Sequence, residues 1–232
     1  MENLTNKKLQ RKRMMQYFID AANEIIDADG IDALSIRKVA EKAGYNSATL
    51  YNYFSNLKHL TYVSCIRYLR EYADDLPFYL GNAPSPLDQY FRIWECFCIH
   101  AFDKPDIYEL LFFGDLEEES FDHSFKSYYD VFPEELTPKI QEYYDMIMEH
   151  DIYSREVLAL NKTCRKMNTQ LPEQTIAEIA EMNILIFRGM LANMRCRHSR
   201  PSIEEATKKT LVYMRQTWRA YTVRSGECDR PQ

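Results

Sequence analysis

Three stretches of the 232-residue sequence hold residue types that can do chemistry. One is Cys96-Phe97-Cys98-Ile99-His100, where Cys96 and His100 share a helix face at i and i+4 while Cys98 points elsewhere. Two ligands do not complete a zinc site, so packed thiols are the expectation and no metal is assigned. The second is Ser47-Ala48-Thr49-Leu50-Tyr51-Asn52-Tyr53. Its short hydroxyl, amide and phenol groups suit hydrogen bonds to phosphate oxygens and base edges; the lesser alternative for either Tyr51 or Tyr53 alone is a half-buried aromatic. The third is a scatter of aromatics, Phe91, Trp94, Phe97, Tyr108, Phe112, Tyr143 and Phe187. At helical spacing these make either plain core or the lining of a cavity for a small ligand. Nowhere do a nucleophile, a base and an acid, a carboxylate pair or a glycine-rich phosphate loop stand at a spacing that implies catalysis. An enzyme is therefore not expected, and no cofactor is assigned.

The elements that must position these residues are helices, so the fold class expected is all-α. Only six glycines are present, which favours helices over tight-turned sheets. Met14, Phe18, Ala21, Ala22, Ile25 and Ile26 make a stripe of period 3.6 over about residues 6–29, closed by Gly30. Ser35 is placed to cap a short helix whose inner face is Ile36, Val39, Ala40 and Ala43. Gly44 breaks that helix, and Asn46 or Ser47 caps a third, which carries Leu50, Tyr51 and Phe54. Two helices too short to stand alone, joined at a glycine and sharing the seam Val39, Ala40, Ala43, Leu50 and Phe54, make a helix-turn-helix. The outer face of its second helix is then free for a major groove.

A fourth helix is expected over 56–75, stopped by Pro77. Beyond the loop 81–85, Pro86 opens a helix to about Phe102, and residues 115–123 read as an acidic connection or a ragged helix. Two long helices close the chain near 172–196 and 203–224, the second announced by the capping box Ser202-Ile203-Glu204-Glu205. The expected division is a helix-turn-helix domain over 1–55 and an all-helical bundle over 56–232.

The net charge of −6 is unevenly spread. Residues 1–60 carry nine Lys/Arg against seven Asp/Glu, residues 61–187 ten against twenty-four, and residues 188–232 ten against four. A mildly basic head, acidic middle and basic tail exclude polyanion binding by the whole surface but leave it open to one local element. No apolar run approaches the ~18 residues of a membrane span. The basic N-terminus has no apolar stretch behind it, and the six cysteines are scattered; a cytoplasmic chain with reduced thiols is expected.

At residues 11–60 the pattern becomes specific. A long first helix, then Gly30-Ile31-Asp32-Ala33-Leu34-Ser35-Ile36-Arg37-Lys38-Val39-Ala40, Ala43-Gly44 and Ala48-Thr49-Leu50-Tyr51-Asn52-Tyr53-Phe54 resemble the DNA-binding domain of tetracycline-repressor (TetR-type) transcriptional regulators. The resemblance implies that Arg37 reaches a base or phosphate, that Ser47 and Ala48 face bases, and that Thr49, Tyr51 and Tyr53 hold the backbone. The family usually places a lysine three residues after the terminal phenylalanine; here that residue is Leu57, and Lys58 follows one step later. The cluster Lys7–Arg13 reads either as a basic arm along DNA or as a solvated helix start.

The resemblance further implies a homodimer through the last two helices, a palindromic operator in double-stranded DNA with half-sites about 34 Å apart, and a small-molecule effector held by the middle helices. An aromatic cage near acids such as Glu95 or Glu109 would suit a hydrophobic cation. A ligand-responsive repressor is the reading that follows. The alternative is a TetR-like fold kept as a ligand- or protein-binding module with lost DNA binding, of which Leu57 would be a symptom.

Overall fold

The structure, a computed structural model, describes residues 2–81, 83–114, 126–135, 151–196 and 200–227, with side chains from 6 to 222. The chain is all-α. In order, its helices are α1 (Glu2–Asp29), α2 (Ile36–Lys42), α3 (Ser47–Tyr51), α4 (Leu57–Cys65), α5 (Leu69–Gly81), α6 (Pro86–Asp103), α7 (Pro105–Phe113), α8 (126–131), α9 (Ile152–Lys166), α10 (Glu173–Arg195) and α11 (Ile203–Glu227). Tyr143 and the expected connection at 115–123 lie outside the described residues.

The described residues cluster into two compact units, one built on residues 2–70 with 126–135, the other on 71–112 with 151–227. In the first, α1 ends at Gly30, whose φ of 84° is left-handed and whose N–H reaches the Ile26 carbonyl at 2.9 Å. Ser35 caps α2, its Oγ accepting from the Lys38 N–H at 3.2 Å. After Ala43 the chain turns at Gly44 (φ 80°), and the Tyr45 N–H donates back to the Ala40 carbonyl at 2.8 Å. That six-to-one bond is a Schellman stop, and the left-handed residue it needs is the glycine. Asn46, not Ser47, then caps α3, accepting from the Thr49 N–H at 2.8 Å. Val39, Ala40, Leu50 and Phe54 are buried together with Phe18 and Leu60, so four of the five expected seam residues pack inward while Ala43 is half-buried, and α1 and α4 close the seam from behind. In the same unit Arg67 reaches Asp20 at 2.7 Å and lies over the Phe132 ring, while Gln16 donates to the Val131 carbonyl at 3.0 Å.

One expectation about the helices is overturned. The run over 56–75 is not one helix stopped by Pro77: α4 ends at Cys65, a 3-10 turn spans Ile66–Tyr68, and α5 runs from Leu69 to Gly81 with Pro77 inside it. Burial explains this. Leu69, Tyr72, Ala73 and Leu76 form a continuous inner face, and that packing outweighs the roughly 3 kcal/mol an interior proline costs.

In the second unit α6, α9, α10 and α11 pack against one another around Phe91, Phe97, Cys98, Phe102, Phe187, Leu191 and Met214. Its ends are set by the caps the sequence carries. Ser85 accepts from Asp88 N–H with Pro86 in the first turn of α6, and Ser202 and Glu205 exchange backbone bonds at 3.2 Å in each direction.

Candidate nucleic-acid interface and internal cavity

The α3 helix is five residues long and its only buried side chain is Leu50. Ala48 and Tyr51 are exposed, Ser47, Thr49 and Tyr53 half-buried, and Arg37 is exposed at the start of α2. None of the six is buried, so each keeps some surface open to solvent. Two of them are partly engaged inside the protein. Thr49 Oγ1 donates to the capping Asn46 Oδ1 at 3.0 Å, and the Tyr53 ring packs 5.8 Å from Phe18 with the Arg11 guanidinium 5.3 Å above it. Arg11 also donates to the Asn52 carbonyl at 3.1 Å. One member of the basic N-terminal cluster thus ties α1 to the end of the α3 turn, a contact for which the sequence has no spacing signal. At the start of α4, Lys58 is exposed, and Leu57, where the lysine of the family pattern stands, is half-buried.

The second unit holds a partly open cavity of about 60 Å³. Tyr72 of α5, Tyr90, Ile93, Trp94 and Phe97 of α6, Phe112 of α7, and Ile152, Arg155, Glu156 and Ala159 of α9 line it. Of the aromatics proposed from sequence, Trp94, Phe97 and Phe112 reach this cavity. Phe91, Tyr108 and Phe187 are packed into the surrounding core: Phe91 under the Arg215 guanidinium at 4.1 Å, Tyr108 stacked on Phe112, Phe187 between Trp94 and Phe102.

The cavity wall carries one acid that the aromatic pattern does not reveal. Glu156 is 3% exposed, and its carboxylate accepts from the Tyr90 hydroxyl, from Trp94 Nε1 at 3.0 Å and from Asn183 Nδ2 at 2.9 Å. Burial raises its pKa from 4.5 to about 7 against the pull of those three donors. Burial also pushes the Tyr90 hydroxyl well up, reinforced by the negative charge of Glu156. A signal for Glu156 does exist in the sequence. It sits four residues after Ile152 and four before Leu160, a core position of α9 where an apolar side chain is the rule. The acids proposed from sequence face elsewhere: Glu95 pairs with Arg92 at 2.6 Å and Glu109 with Arg188 at 3.4 Å.

Cys96 is buried and its thiol donates to the Tyr72 carbonyl at 3.8 Å, while His100 Nε2 lies 3.1 Å from Asp75. Among the described residues no group of three metal-ligating side chains assembles, and no helix is long and apolar enough to cross a membrane.

The first unit thus defines a class, a helix-turn-helix head with a short second helix. Residues 18–60 match the model of the bacterial regulatory proteins of the tetR family, so this segment is similar to the head of such regulators. Two solved structures are similar in outline. A protein described as a TetR-family transcriptional regulator from Rhodococcus sp. is 15% identical, with 90% of this chain and 98% of that one covered at a TM-score of 0.48. A TetR family transcription regulator from Marinobacter aquaeolei VT8 is 17% identical, with 92% and 98% covered at a TM-score of 0.38. No curated protein matches the chain.

Proposed function

We propose that the chain is a ligand-responsive transcriptional repressor that binds a palindromic operator as a homodimer and is released by a small hydrophobic effector. The observation that carries this is the exposed side of α3 beside Arg37, in a head that matches a family of DNA-binding regulators. Ser47 and Ala48 face base edges. Arg37 reaches a base or a phosphate, and Thr49, Tyr51, Tyr53 and Lys58 hold phosphates, positioning contacts that fix register without reading sequence.

Dimerisation uses α10 and α11. Both helices are spent inward on Phe187, Leu191, Met214 and Trp218, yet Met182, Leu185, Val212 and Tyr213 remain exposed, Leu185 at 59%. Large apolar side chains on two packed terminal helices support a second copy as their cover. The effector occupies the cavity of the second unit. A ligand that favours a spacing of the two heads mismatched to successive major grooves releases the DNA, and a few kcal/mol of preference suffices.

Selection from a randomised duplex pool, followed by titration at two salt concentrations, tests the reading. The expected outcome is a palindrome whose affinity falls at least about tenfold in Arg37→Ala and in Tyr51→Ala, with a salt slope lowered by about one for each phosphate contact removed. Weak binding without sequence preference, unchanged in both variants, would sink it and leave a TetR-like binding module.

A further inference from the structure

The polar chemistry of the cavity is lopsided in a way that specifies its occupant. Glu156 has no basic partner among the described residues. Tyr90, Trp94 and Asn183 come from two other helices to hold both of its oxygens, so the carboxylate is fixed in place, yet no described side chain compensates its charge. Around it stand the faces and edges of Tyr72, Tyr90, Trp94, Phe97 and Phe112. A buried carboxylate that lacks a cation, inside aromatic walls, is complementary to a ligand carrying positive charge on an apolar frame.

Arg155 is the feature that speaks for an anion instead. Its guanidinium, however, lies over the Phe112 ring at 5.0 Å and is half-exposed, whereas Glu156 is sealed from water. The buried charge interacts with a ligand in low dielectric, the exposed one through solvent, so the acid dominates.

Resting on the reading of this cavity as the effector site, we propose that the effector is a small organic cation, an alkylated or aromatic ammonium compound, recognised by Glu156. The acid acts as counter-ion and Trp94 and Phe97 as the cation-facing rings. Ligand binding is then coupled to loss of a proton from Glu156, because only the ionised carboxylate attracts the cation. Among the described residues, the other titratable groups at the cavity are Tyr72, Tyr90 and Arg155, residue types that keep their protons near neutral pH.

The test uses the full chain without DNA and three probes of nearly one shape: tetramethylammonium, neutral tert-butyl alcohol and anionic trimethylacetate. Binding is followed by intrinsic tryptophan fluorescence, since Trp94 lines the cavity. Tetramethylammonium should bind roughly tenfold or more tighter than tert-butyl alcohol, and that ratio should collapse in Glu156→Gln. In the unaltered protein its affinity should rise several-fold from about pH 6 to about pH 8, a second readout that stands even if Glu156→Gln does not fold. Equal binding of cation and alcohol, a ratio unchanged in the variant, a flat pH profile or preference for trimethylacetate would each overturn the cation while leaving the cavity an effector site. Binding of none of the three would overturn both.

Discussion

Glu156 occupies a place where an amphipathic helix normally puts a hydrocarbon, and its protonation has a thermodynamic signature of its own. Its pKa is about 7 when folded against 4.5 as a free side chain. Below the lower value the carboxyl is protonated folded or unfolded. Between the two values the folded chain keeps a proton that the unfolded chain has released, so stability falls as pH rises and levels off above about 7. Urea unfolding at about pH 5 and about pH 8 should show the unaltered protein losing roughly 2–3 kcal/mol, a loss largely absent in Glu156→Gln. A pH dependence identical in the two proteins would mean that another group titrates. Thr49 is the contrasting case. Its hydroxyl already serves the α3 cap, so a phosphate oxygen has to compete with Asn46 for that one proton.

At the scale of elements, the reading head depends on stops and starts. Asn46→Ala removes the acceptor for the Thr49 N–H and hydroxyl together and should cost about 1 kcal/mol, measured by thermal unfolding. A Cβ at Gly44 would meet no atom within 4 Å, so Gly44→Ala tests backbone strain alone and should cost about 1–2 kcal/mol. If Gly44→Ala proves neutral, the Schellman stop is not what orients α3.

These stops and starts were legible because they depend on local chemistry. Ser35, Gly30, Gly44 and the Ser202–Glu205 box each act within four residues of themselves, and the structure uses all of them. What depends on distant packing was not legible. The 3-10 turn at Ile66–Tyr68 and the helix continuing through Pro77 follow from burial of α5, which no local pattern encodes. Likewise three of the aromatics proposed for the cavity fill core instead, since equal helical spacing does not say which face meets a void. The carboxylate that matters lay on α9, more than forty residues from the acids proposed beside the rings.

At the scale of the whole molecule, the exposed apolar residues of α10 and α11 predict the assembly. Leu185→Glu places a charge in the middle of the proposed cover and should shift the protein from dimer to monomer at micromolar concentration, seen by sedimentation, with operator affinity falling alongside. A variant that stays dimeric would move the interface elsewhere. The acidic middle of the chain repels the phosphate backbone, so in such a dimer only the heads approach DNA closely.

The brevity of α3 bears on how such a regulator finds its target. Five helical residues span about 7.5 Å, the rise of roughly two base pairs, so a single head spells out very little of a genome. Addresses that short recur everywhere. In the proposed dimer, what makes one address unique is the gap between two of them, held fixed by the dimer's body. The operator is then defined as much by a distance as by letters, and a new target is reached by respelling two brief words while the ruler stays the same.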